Sequence, residues 1–192
     1  MLNHIAIDLP DWLNIYAQSY RPTTSLADRM AFVIGAALRN VEAGTGGPFA
    51  AAIFEIDSGK LIGLGVNLVT TQGLSILHAE MVAFATAQRT LGSYDLGGPG
   101  MAAHELVTSA EPCAMCFGAV PWSGVRRIVC GARSEDAERI GFDEGPKSKS
   151  WESDLQARGI EVIRDVGRDA AVEVFSEYTR RGGAIYNSRE TG

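Results

Sequence analysis

Cys113 and Cys116 stand three positions apart directly behind Pro112, and on an earlier segment His78 is followed two residues later by Glu80. Two thiols and an imidazole are the donors zinc prefers. The cysteine pair admits four uses: a disulfide clip, a redox centre, half of a structural zinc knuckle, or half of a catalytic metal site. Three cysteines in the whole chain do not make a disulfide framework, and a reducing compartment weakens the clip. A thioredoxin-like pair leaves "HAE" (78–80) without a purpose. A structural knuckle wants a fourth protein donor, and the third cysteine, Cys130, sits in a strand-like run and reads as a small buried hydrophobe. Three ligands with water in the fourth position describe a catalytic zinc, one ion per chain.

That ion, with two thiolates and a neutral imidazole, carries no net charge, so it activates water weakly and a nearby base becomes useful. Glu80 is the candidate base. Residues two apart point to nearly opposite sides of an ideal helix, so His78 must stand at the very edge of its helix for both side chains to face one cavity. Cysteines at i and i+3 share a helix face, a helix N-terminus favours thiolates, and Pro112 suits the first turn. His4, near the start, and His104, in an expected loop after "GGPGMAA", are read without a chemical role.

The elements that must hold these groups follow from pattern. A helix is expected over 11–20, and a longer one from Ser25 to a stop at Gly44. "PFAAAIFEI" and "LIGLGVNLV" form a hairpin through "DSGK". "SILHAEMVAFATAQRTL" reads as a helix of four or five turns and "ELVTSA" as a strand. "PCAMCFGAVPWSG" is a short helix, "VRRIVCGA" a strand, and "SEDAERI" a helix. The loop "GFDEGPKSKS", helical "WESDLQARG", strand "IEVIRDV" and helical "RDAAVEVFSEYTRRGG" complete the order. A hairpin followed by strands alternating with helices predicts a three-layer α/β/α sandwich on one mixed sheet, its last two strands parallel. The domain divisions expected are an N-terminal extension over 1–24, one domain over 25–182 and a tail over 183–192.

The formal net charge of −6, from 17 basic and 23 acidic residues, argues against a nucleic-acid surface, which needs clustered Lys and Arg. The start lacks a signal-peptide pattern and no apolar run approaches membrane-helix length, so the expected location is the cytoplasm.

"HAE" (78–80) and "TSAEPCAMCFGA" (108–119) together resemble the cytidine deaminase-like superfamily of zinc nucleobase deaminases, over roughly residues 25 to 180. The resemblance implies a mixed five-stranded sheet between helices and zinc held by His78, Cys113 and Cys116. Glu80 would take a proton from the water on the metal and pass it to a ring nitrogen while an exocyclic amine leaves as ammonia. The helix before the last strand, Asn67 in "GVNLV", the acids of "FDEGP" (142–146) and the aromatic tail "GGAIYN" are similar to the bacterial guanine deaminases of that superfamily, some of which accept aminotriazines such as ammeline. That likeness implies that Asn67 hydrogen-bonds the base, with Phe49, Ala79, Phe142, Asp143 and Tyr186 also binding it. Glu144 is the expected second proton carrier. Relatives with an aspartate there leave Asp143 as the alternative, and the acid would need a raised pKa, through desolvation or the neighbouring carboxylate. A small-molecule nucleobase, no nucleic acid, no membrane and a homodimer are the partners expected. The competing readings are a tRNA adenosine deaminase and a non-catalytic zinc domain.

Overall fold

The computed structural model describes residues 5–187; His4 and residues 188–192 lie outside the described residues. The core is a five-stranded sheet in the order β2-β1-β3-β4-β5. β1 (Ala50–Glu55) pairs antiparallel with both β2 (Leu61–Val66) and β3 (His104–Ala110). β3 then runs parallel with β4 (Arg127–Ala132), and β4 with β5 (Glu161–Ile163). The mixed sheet is the expected one, with the hairpin forming the antiparallel edge and two crossovers forming the parallel half.

Strand side chains alternate between two apolar clusters. Ala50, Ala52 and Phe54 face the layer made by α1 (Asp11–Ser19), α2 (Leu26–Glu42) and α8 (Arg168–Arg180). Ala51 and Ile53 face α4 (Ala79–Leu91), α5 (Ala114–Ser123) and α7 (Trp151–Gln156). α2 starts where Ser25 Oγ accepts the Asp28 N–H at 3.2 Å, and it buries Met30, Val33, Ile34, Ala37 and Val41 at helical spacing. α1, in the expected N-terminal extension, joins the same core through Leu13 and through Tyr16, which stacks on Phe32.

The most consequential contact for the site is between α4 and β2. A Cβ at Gly63 would stand 2.6 Å from Ala87 N, and one at Gly65 would stand 2.3 Å from Ala79 O. Two glycines on one strand face therefore let the helix backbone lie directly on the sheet. Any larger residue would lift the N-terminal end of α4 and His78 with it.

Two expectations need correction, and one element was not expected. His104 is the first residue of β3, only 2% exposed, with Nδ1 2.7 Å from Leu96 O. α4 begins at Ala79 and is shorter than expected, because the segment before it turns back so that Leu68 N–H donates to Leu77 O at 2.9 Å. That backbone bond holds Leu77 out of the helix despite its helical apolar spacing. A short helix, α3 (Val69–Gln72), fills the turn between and had no sequence signal. The remaining helix, α6 (Ser134–Arg139), stands where expected.

One end of the sheet is tied by a buried charge cluster. Glu105 on β3 is fully buried, pairs with Arg29 of α2, and accepts from Arg127 Nε of β4 at 2.6 Å. Arg29 also donates to Thr23 O at 2.7 Å and to Ile56 O at 2.9 Å, so one guanidinium joins helix, hairpin and sheet. Removing the acid leaves a buried cation unpaired. Glu105→Gln is expected to lower unfolding free energy by about 3–5 kcal/mol, read from urea denaturation. A loss below 1 kcal/mol would show that the cluster contributes little.

Candidate active site

Two helix N-termini meet at the carboxyl end of the parallel strands, the usual place for a ligand in such sheets. His78 is the N-cap residue of α4, with φ −66° and ψ 156°, so it lies in extended backbone at the helix edge. Glu80 follows in the first turn, 6% exposed. The half-turn conflict between positions 78 and 80 is thus resolved by ending the helix between them. Cys113 is the N-cap of α5, again extended, and Cys116 lies in its first turn. Pro112 consequently precedes the helix and is not part of its first turn, a one-residue correction that moves Cys113 out of helical geometry.

The ligand atoms of His78, Cys113 and Cys116 lie within 4.8 Å of one another. Cys113 Sγ is 3.4 Å from His78 Nδ1, and Cys116 Sγ is 3.3 Å from Glu80 Oε2. Tetrahedral zinc with bonds of about 2.0–2.3 Å spaces its donors about 3.5–3.8 Å apart, so the set fits the ion. The protonation of the free thiols points the same way. A hydrogen bond from Cys116, joined by His78, lowers the Cys113 pKa to about 4 against the cost of burial. The same sharing pushes Cys116 well above the usual thiol range. One negative charge is already present, and a cation would draw off the second proton. No fourth His, Cys, Asp or Glu joins the set among the described residues. Glu80 stands beside it, its pKa raised by burial first and the Cys113 charge second.

The donors open on a cavity of about 420 Å³. Phe49, Asn67, Phe142, Asp143, Glu144 and Tyr186 all line it together with His78, Glu80 and Cys113. Ala79 does not line the cavity: its side chain is wholly buried against the sheet. Asn67, 1% exposed, is held through its carbonyl by Asn40 Nδ2 at 2.9 Å and through Oδ1 by the Val69 N–H at 3.2 Å. The ring of Phe142 sits 5.0 Å from both Phe49 and Tyr186, making an aromatic wall. The Tyr186 hydroxyl is buried with no hydrogen-bond partner among the described residues. Asn187 Oδ1 accepts the Asp143 N–H at 2.9 Å and its Nδ2 donates to Gly141 O at 2.7 Å, stapling the tail to the "FDEGP" loop.

The two loop acids separate cleanly. Glu144 is buried at 8% exposure, and its carbonyl accepts the Ala114 N–H at 2.8 Å, capping the first turn of α5. Asp143 is exposed and its Oδ1 accepts the Gly145 N–H at 2.8 Å, which closes a turn. Burial, then the charge of Cys113, raises the Glu144 pKa to about 8, opposed by Lys147. Of the two expected causes, desolvation is the leading one, and the main neighbouring negative charge is Cys113; together they keep the proton on this carboxyl near neutral pH. The cavity also includes Glu111, Ser75 and Met115. Glu111 directly precedes Pro112 and was open to notice as a buried acid beside the motif; Ser75 and Met115 gave no signal.

A buried acid beside three soft donors, on a mixed sheet with two helix N-termini converging, defines a metal-dependent hydrolytic site on a cytidine deaminase-like fold. The family model for the cytidine and deoxycytidylate deaminase zinc-binding region matches residues 24–132, and the chain belongs to that family. It is similar to a solved guanine deaminase from Nitrosomonas europaea, with 48% identity, 94% of this chain and 98% of that one covered, and a TM-score of 0.90. A solved complex with 2,6-diaminopurine is also 48% identical, covers 99% of this chain and 100% of that one, and has a TM-score of 0.91. The guanine deaminase of Bacillus subtilis is 37% identical over 65% of this chain and 75% of its own length.

Cys116→Ala is expected to lose stoichiometric zinc in elemental analysis, whereas Cys130→Ala retains it, since Cys130 is buried inside β4 and outside the donor set. Equal zinc content in the two variants would contradict the assigned ligands.

Proposed function

We propose that the chain catalyses hydrolytic deamination of free guanine to xanthine and ammonia. The observation that supports it most is the pairing of two buried carboxyls, Glu80 and Glu144, in one aromatic-walled cavity beside the metal donors. The similarity to guanine deaminases along nearly the full chain supports the substrate.

When bound, the zinc supplies a Lewis acid that makes water a nucleophile near neutral pH. Glu80 accepts a proton from the attacking water and delivers it to the ring nitrogen beside the carbon under attack, so that negative charge does not build on the base. Its burial beside a cysteine keeps its proton affinity high enough for both acts. Phe142 and Phe49 give the planar ring an apolar face, and the Asn67 amide hydrogen-bonds its edge. Tyr186 closes the cavity beside Phe142. Glu144, held as an acid, protonates the departing amine, which could not leave as an anion. Asp143 shapes the loop that presents it.

The cavity takes a free base, and the acidic balance of the chain weighs against an RNA-bound substrate. We extend the reading to a cytoplasmic homodimer serving purine breakdown. Among the described residues no helix is long and apolar enough to cross a membrane. α5 is apolar on nearly every side yet leaves Trp122 84% exposed, a surface suited to a second copy and checked by light scattering.

Zinc-loaded protein should release ammonia from guanine with kcat/KM well above that for adenine, cytosine or cytidine, and ammeline is the informative further substrate. Inactivity on guanine would end the substrate assignment. Glu80→Gln is expected to keep zinc and lose about 10²–10⁴-fold in kcat. Full turnover by that variant would contradict the mechanism whatever the substrate.

A further inference from the structure

Behind Glu144 lies a hydroxyl with more acceptors than it has protons. Ser134 Oγ, at the start of α6, is 3.2 Å from Glu144 Oε2 and 3.2 Å from Glu111 Oε2. It accepts from Lys147 Nζ at 2.5 Å, and the same ammonium donates to Pro112 O at 3.0 Å. Glu111 is nearly buried and keeps other donors: the Ser134 N–H at 3.2 Å and Arg164 Nε at 2.6 Å. It can therefore lose the Ser134 hydroxyl without being left unsatisfied. Lys147 is itself 10% exposed at its side chain and lies 4.9 Å from the centre of the Trp151 ring, so it is not a loosely solvated lysine.

We propose that Ser134, anchored by Lys147, is a positioning residue that aims the Glu144 carboxyl at the leaving group throughout the reaction. The inference rests on the reading of Glu144 as second proton carrier. A carrier must be hydrogen-bonded in one orientation both as acid and as carboxylate. A hydroxyl can do this by donating to the Glu144 oxygen that does not carry the proton. Ser134 donates to Oε2 in both states, so the single carboxyl proton rests on Oε1, free to pass to the amine, and no heavy atom moves once it has gone. Lys147 occupies one lone pair in both states and fixes Oγ, while its second bond ties the acid loop to the turn that carries Cys113. Neither residue touches the base or the metal donors directly. Each acts through Glu144.

The test uses the full chain loaded with zinc, turning over free guanine. Ser134→Ala is expected to lower kcat about tenfold, of the order of one hydrogen bond to a charged group, with KM changed less than twofold and zinc content and Tm retained. Ser134→Thr, which keeps the hydroxyl, should restore most of the loss. In a Glu144→Gln background Ser134→Ala should add no further loss in kcat, because the group it positions is gone. Lys147→Met provides the second variant and should reproduce the kcat loss with zinc retained. Wild-type kcat in Ser134→Ala, or a full additional loss in the Glu144→Gln background, would overturn the proposal. Loss of zinc by both Ser134→Ala and Lys147→Met would overturn it too, placing the pair in support of the metal turn. Wild-type kcat in Glu144→Gln would instead remove the proton-carrier reading and take this inference with it. The two failures are thus distinguishable.

Discussion

Three soft donors from two distant segments have to converge within 4.8 Å, and most of the architecture can be understood as what makes that convergence rigid. Neither His78 nor Cys113 sits inside a helix; each is the residue at which a helix begins. Neither N-cap side chain folds back to cap its own helix, so the two N-termini brought end to end present His78 and Cys113 to one another. The dipoles of both helices then favour negative charge at the shared point, where thiolates are required. Bringing the ends together is the task of the sheet. Gly63 and Gly65 let α4 settle on β2, and the parallel β3–α5–β4 crossover delivers Cys113 at the carboxyl end of β3.

The cost of this arrangement is a concentration of buried acids. Glu80, Glu111 and Glu144 are all less than a tenth exposed within one region of the molecule. Their environments differ in kind. Glu111 is surrounded by Arg164, Lys147 and Ser134, which supply two cations and a hydroxyl to its oxygens. Among the described residues Glu80 and Glu144 lack a comparable cation at hydrogen-bond distance, and burial raises the pKa of both. A site that must move protons needs acids of the second kind, and a frame of the first kind to hold them.

Much of the site was readable before any coordinates. The donor set and the acid next to it followed from residue types and spacing. The assignment of elements followed from period and punctuation. Where it failed, a long-range backbone bond had overridden local pattern. Leu77 pairs with Leu68 and so leaves the helix its spacing predicted, and His104 is drawn into β3 by pairing with Glu55. Asp143 and Glu144 are alternatives of equal chemistry in a line of text. Only the turn closed by Asp143, facing solvent, and the burial of Glu144 tell them apart.

The sequence by itself determined which chemistry was available, because metal preference and acid–base capacity belong to side chains and survive in any fold that gathers them. The tertiary structure decided which of those side chains act together. Ser134 and Lys147 carry no motif and Glu111 had no role assigned within its own, and their relation to Glu144 exists only where α6, the acid loop and the turn after β3 meet. Proximity across such separations is set by packing of the whole sheet and its layers, and no local spacing encodes it.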